Sequence, residues 1–168
     1  MCTVTWAQRP DGYDLVSNRD ERHTRLAAHP PAVRARDGVR YIAPADGEFG
    51  GTWIGVNEYG LSCCLLNVYP EGYTVDPSGF TSRGRLVVEL MGSRSVGDVS
   101  VSLATMDLSL FQPFMLAVLE PGSPAIVLRW DGEACRVVAI GNIFAPLVSS
   151  SWEFERVVAT RSRLFADM

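Results

Sequence analysis

Residues 2–21 read CTVTWAQRPDGYDLVSNRDE. Two runs of alternating, β-branched and aromatic character, Thr3–Gln8 and Tyr13–Ser17, flank the turn sequence Pro10-Asp11-Gly12. The pattern predicts a β-hairpin whose first strand starts beside Cys2 and whose second delivers the polar cluster Ser17-Asn18-Arg19-Asp20-Glu21. Methionine before a small residue is normally trimmed, so the mature chain is expected to begin at Cys2. One residue then carries a thiol and a free α-amine. The thiol can attack a carbonyl, and the amine, with a reference pKa near ~8, can accept its proton. Read without context, a second-position cysteine is more often a small buried apolar side chain.

The same logic extends outward to residues 50–70, GGTWIGVNEYGLSCCLLNVYP. Strands are expected at Thr52–Val56 and Leu61–Val68, joined by Asn57-Glu58-Tyr59-Gly60 with Gly60 in a left-handed conformation. Leu61, Cys63, Leu65 and Asn67 fall on one face; Ser62, Cys64, Leu66 and Val68 fall on the other. Both faces are largely apolar, which predicts a sheet covered on both sides. A further strand is expected at Val39–Ala43, and three more at Phe114–Leu119, Ala125–Trp130 and Cys135–Ile140, the last two joined by Asp131-Gly132. Helices are expected at Arg83–Met91 behind Ser82 as N-cap, and at Val96–Met106 behind a Ser95/Asp98 capping box. A last helix runs from about Glu153. Strands, two helices, strands and a helix in that order predict a layered α+β domain over residues 1–168, not alternating βαβ units.

Composition narrows the functions. A net charge of −4 with a pI near 5.1 disfavours nucleic acid and anionic membrane as partners. All fifteen basic residues are arginine, so a P-loop, a Schiff base and a Ser–Lys dyad are excluded. Arg9, Asp11, Asp14, Arg19 and Asp20 interrupt any signal-peptide core, and no run approaches the ~18 apolar residues of a membrane span. The cytoplasm is the expected location. The four cysteines, Cys2, Cys63, Cys64 and Cys135, lack disulfide or zinc spacing, and His23 and His29 sit in a proline-flanked polar stretch read as loop. No metal site is expected.

MCTVTW, SNRDE, GGTWIGVNEYGLSCCLLN and SRGRLV, in this order and spacing, resemble the NRDE family, which includes the transport-and-Golgi-organisation 2 proteins. The likeness runs along essentially the whole chain. It implies an N-terminal-nucleophile hydrolase fold, a four-layer αββα sandwich of two antiparallel sheets between helical layers. More distantly, the chain is similar to the choloylglycine hydrolase and penicillin V acylase group, which cleaves non-peptide amide bonds with an N-terminal cysteine. Asn18 and Asp20 match that group's first motif, whereas Ser17 stands at its arginine position and Arg19 at its variable one. Asn57 through Leu61, and then Asn67, match its later block. Family members usually continue past the final helix with further strands. The sequence ending at Met168 is either a short variant or truncated at the C-terminus; if strands are missing, an exposed sheet edge would favour a homodimer or poor solubility.

The resemblance implies catalytic roles for Cys2 as nucleophile, Asp20 as orienter of the α-amine and Asn67 as oxyanion donor. Asn18, Arg19, Trp53 and Asn57 form the substrate-contacting set. The competing readings are structural: Asp20 as a turn or ion-pair residue, Arg19 and Glu21 as an ion-pair network, Asn67 as a strand cap, and Trp6 and Trp53 as core or pocket wall. Two functions follow. One is a cysteine hydrolase of small acyl amides or acyl thioesters that needs no cofactor. The other is a non-catalytic carrier of haem or acyl-lipid, although no CxxCH haem motif is present.

Overall fold

A computed structural model describes residues 1–70, 77–141 and 146–166. The opening hairpin forms as expected, from β1 (Cys2–Arg9) and β2 (Gly12–Arg19), in a register that runs from Cys2 opposite Arg19 to Arg9 opposite Gly12. The second sheet begins with β3 (His29–Arg36) and β4 (Val39–Ala45), followed by β5 (Ile54–Asn57) and β6 (Ser62–Asn67). Two helices, α1 (Arg83–Leu90) and α2 (Val96–Thr105), interrupt it before β7 (Phe114–Leu119), β8 (Ile126–Trp130) and β9 (Cys135–Ile140) complete it. The chain then returns to the first sheet as β10 (Leu147–Ser149) and ends in α3 (Phe154–Ala166). The two sheets are antiparallel, ordered β10-β1-β2 and β3-β4-β5-β6-β7-β8-β9.

Alternation along β6 shows how the layers assemble. Cys63 and Leu65 join Leu86, Leu90, Val99 and Phe114 in a core between the large sheet and α1 and α2. Cys64 and Leu66 point the other way and join Val4, Trp6, Ala117 and Val127 between the two sheets. Burying side chains of this size stabilises by roughly 1.5–3 kcal/mol each, so a central strand used on both faces contributes twice over. α3 packs against β10, and Arg161 reaches from it to Thr3 on the outer face of the small sheet. The order helix, sheet, sheet, helices is the four-layer αββα sandwich.

The Asn57–Gly60 turn closes as its sequence predicts. Gly60 has φ +76° and donates its N–H to the Asn57 carbonyl at 2.9 Å; a Cβ there would also meet the Pro121 ring. Three features differ from expectation. His29 opens β3 rather than sitting in a loop, because an edge strand with a register shift between His29 and Ala32 tolerates Pro30 and Pro31. β10 has only three residues, too few for a periodic signal. Ser82 stands at the start of α1 but its side chain accepts no capping hydrogen bond, unlike Ser95, which accepts the Asp98 N–H at 3.1 Å. Among the described residues no helix is long and apolar enough to cross a membrane.

Candidate active site

At one end of the sandwich, the start of β1, the end of β6 and the start of α1 surround a cavity of about 290 Å³. Cys2, Arg19, Glu21, Trp53, Asn67 and Arg83 are among its lining residues. Its floor depends on a close backbone crossing: Thr52 donates its N–H to the Gly84 carbonyl at 3.0 Å, and a Cβ on Gly51 would lie 2.6 Å from the Gly84 backbone. Only glycine fits at Gly51 without moving α1.

Strand geometry decides which residues of the polar cluster reach this cavity. Cys2 and Arg19 are opposite one another and share a face. Arg19 and Glu21, two residues apart, both line the cavity with Cys2. Asn18 is paired with Thr3 on the outer face, where its side-chain amide donates to Asp20 Oδ1 at 3.3 Å. Asp20 Oδ2 in turn accepts from Arg161 of α3 at 3.0 Å. The cluster is therefore split. Half of it serves the cavity and half anchors the last helix.

Arg19 is held from three sides. Its guanidinium lies 4.4 Å from the centroid of the Trp53 ring, and its Nη2 pairs with Asp46 at 2.8 Å and Glu21 at 2.9 Å. Arg25 bridges the same two carboxylates, at 3.1 Å to Glu21 and 2.8 Å to Asp46, and reaches Glu48 at 3.3 Å. Burial alone would raise the Asp46 carboxyl, but the N–H groups of Phe49 and Glu48 and the two guanidiniums hold it below the usual carboxylate range. Burial would lower Arg25; the carboxylates around it outweigh that and raise it. These side chains are only partly exposed, so solvent screens the network less than a surface pair.

Burial pushes the Cys2 thiol above its ordinary value. The Met1 ammonium and Arg19 pull it down, and Glu21 pushes it up. Cys64 is buried and pushed up to about 12, and Cys63 is raised further still by burial. Cys135 is half-buried and raised for the same reason.

Asn67 lines the cavity and donates from its amide to the Tyr69 hydroxyl at 3.1 Å. Asn57 is elsewhere. It is 5 % exposed and spends its hydrogen-bonding capacity tying the turn to the end of α1, with Nδ2 donating to the carbonyls of Met91 and Ser93 and Oδ1 accepting from the N–H groups of Tyr59 and Leu61. No group of Asn57 is left for a substrate. The structure thus brings together Cys2, Arg19, Trp53 and Asn67, and places Asn18, Asp20 and Asn57 outside the cavity. It adds Glu21, Arg25, Asp46 and Arg83. Period-two counting from Arg19 could have found Glu21, and Arg83 lies in the SRGRLV block; Asp46 comes from a distant segment and carried no local signal. Among the described residues no three of His, Cys, Asp and Glu converge as a metal site would require.

A second hollow, of about 460 Å³, lies between β2 and the β4–β5 pair, walled by Leu15, Ile42, Ile54 and Val56. It is larger but holds no cysteine. The Tyr13 hydroxyl at its edge is bound to the Gly60 carbonyl and Ser62.

Residues 1–152 match the family described as Transport and Golgi organisation 2. The chain belongs to that family. No curated protein matches its sequence. Two solved structures of conjugated bile acid hydrolase from Clostridium perfringens, both variants, superpose with TM-scores of 0.58 at 19 % and 18 % identity. Each match covers 95 % of this chain and 56 % of the hydrolase. Penicillin V acylase from Agrobacterium tumefaciens superposes with a TM-score of 0.54 at 10 % identity, over 94 % of this chain and 55 % of the acylase. At such identities the likeness shows the fold, that of the N-terminal-nucleophile hydrolases. This family member spans little more than half the length of those structural neighbours.

Proposed function

We propose that this family member is a cysteine N-terminal-nucleophile hydrolase that cleaves non-peptide amide, or acyl thioester, bonds in small molecules. The observation that supports this best is that Cys2 and Asn67, from different sheets, open onto one cavity. Two structural neighbours are named as a hydrolase of conjugated bile acid and an acylase of penicillin V, and the substrate class is carried over from those names.

Loss of Met1 turns the Cys2 nitrogen into a free amine. The Cys2 sulfur then adds to the substrate carbonyl while its proton passes to that amine. The Asn67 amide carries two N–H groups and gives one to Tyr69, so the other can meet the oxyanion. Collapse of the tetrahedral intermediate breaks the C–N or C–S bond, and the ammonium returns the proton to the leaving group. Water, deprotonated by the same amine, releases the acid and regenerates Cys2. Arg19, locked between Trp53, Glu21 and Asp46, contacts the substrate or steadies the thiolate. Glu21 is the carboxylate on the Cys2 side of the sheet.

The larger apolar hollow beside β2 is what a carrier of haem or acyl-lipid would use. A paired measurement on wild type and Asn67→Ala separates the readings: acyl-amide turnover, and titration with haem and acyl-CoA. The hydrolase reading expects kcat to fall by about 10²–10³ in the variant with ligand affinity retained. Tight haem or acyl-CoA binding by wild type, with no turnover on any acyl substrate, would establish the carrier instead.

A further inference from the structure

Cys2 and Ser149 face each other across the β1–β10 ladder. On the other side of β1, Met1 and Asp20 exchange both main-chain hydrogen bonds, the Asp20 N–H to the Met1 carbonyl at 2.8 Å and the Met1 nitrogen to the Asp20 carbonyl at 3.2 Å. Antiparallel strands alternate bonded and non-bonded pairs. The next pair, Cys2 with Arg19, is therefore non-bonded, and the Cys2 nitrogen turns away from β2 towards Ser149. Paired residues also share a face, so the Ser149 side chain lies on the same side of the small sheet as the Cys2 thiol. There its hydroxyl donates to the main-chain carbonyl of Asn67. Ser149 is 3 % exposed, so this bond does not compete with bulk water.

We propose that Ser149 is a positioning residue for the Cys2 centre: its main chain orients the Cys2 nitrogen while its hydroxyl ties Asn67 into the same frame. This rests on the reading of Cys2 as an N-terminal nucleophile. Three residues from three strands are joined at one point. Once Met1 is removed, one N–H of the Cys2 amine is directed to the Ser149 carbonyl, which limits how the lone pair can turn towards the thiol. The hydroxyl bond fixes the end of β6, and with it the distance from the Asn67 amide to the carbonyl under attack. A serine here acts without touching substrate.

The test compares Ser149→Ala, Ser149→Thr and Val148→Ala with wild type, reading acyl-substrate kcat and KM and the pH midpoint of Cys2 alkylation. Val148 is buried on the opposite face of β10 and serves as the packing control. Ser149→Ala is expected to lower kcat about tenfold or more with little change in KM, because a displacement of the reacting groups acts on the transition state. Its alkylation midpoint is expected to move. Ser149→Thr keeps the hydroxyl and is expected to keep both values, and Val148→Ala to lower Tm without moving the midpoint. Wild-type kcat and midpoint in Ser149→Ala, or an equal shift in Val148→Ala, overturns the proposal while leaving the hydrolase intact. If Ser149→Ala does not fold, Ser149→Thr decides: wild-type kinetics support the proposal and lost turnover in a folded protein overturns it. A wild type that turns over nothing, with Met1 retained, overturns both readings.

Discussion

Asp20 and Glu21 are adjacent in sequence and reach opposite sides of the small sheet, one to Arg161 and the other to Arg19 and Arg25. Their substitutions should therefore part company. Asp20→Asn should leave the pH midpoint of Cys2 alkylation unchanged and weaken the hold on α3. Glu21→Gln should lower that midpoint, because a negative charge that disfavours thiolate is removed, so alkylation at neutral pH should speed up. Initial rates with a thiol alkylator across pH check both; a shift in Asp20→Asn matching that in Glu21→Gln would contradict the division. Peptide mapping of the same samples should find Cys63 and Cys64 protected by burial. Much of this site was legible in the sequence. Cys2, Arg19, Trp53 and Asn67 could be named from motif and spacing, whereas the side of the sheet each residue faces depends on where the strand pairing starts. A one-residue difference in phase exchanges Asp20 for Glu21.

The elements that the sequence concealed are those whose local signals are weakest. β3 contains two prolines and survives as an edge strand; β10 is three residues long and exists because β1 offers it a partner. Asp46 belongs with them. Asp46-Gly47 reads locally as an ordinary turn, yet Oδ1 accepts the N–H groups of Glu48 and Phe49 while Oδ2 receives Arg19 and Arg25 from the far end of β2 and beyond it. Its pKa is depressed in the folded protein, so the stabilisation is present above the unfolded value, near ~3.9, and is lost as pH falls through the folded value. Asp46→Asn should cost about 1–3 kcal/mol at neutral pH, read from the denaturant midpoint, and should flatten the acid limb of the stability profile below the ordinary aspartate range. An unchanged acid limb would show that the network carries no linkage.

Across the whole molecule, stability is uneven. α1 buries Leu86, Val87 and Leu90 completely, whereas α3 has no buried residue and leaves Trp152 and Phe154 at its start exposed. Hydrogen exchange should find α3 opening well before α1, and sooner still in Arg161→Ala, which removes its tether to Asp20. The three-stranded sheet also covers only part of the seven-stranded one: the cross-strand row Val33, Ile42 and Val56 is 68 %, 49 % and 41 % exposed. The layered α+β class followed from the grouping of strands and helices, and the αββα order from the family resemblance, but this incomplete cover followed from neither, because it depends on how many strands each sheet recruits. What unites these scales is our proposal that one residue at the start of β1 acts as nucleophile and base together. The measurement that reaches it most directly is intact mass followed by peptide mapping after incubation with a panel of acyl amides and acyl thioesters. The account predicts a chain lacking Met1 and a single acyl adduct on Cys2; a folded chain that keeps Met1 and acquires no adduct on Cys2 would contradict it.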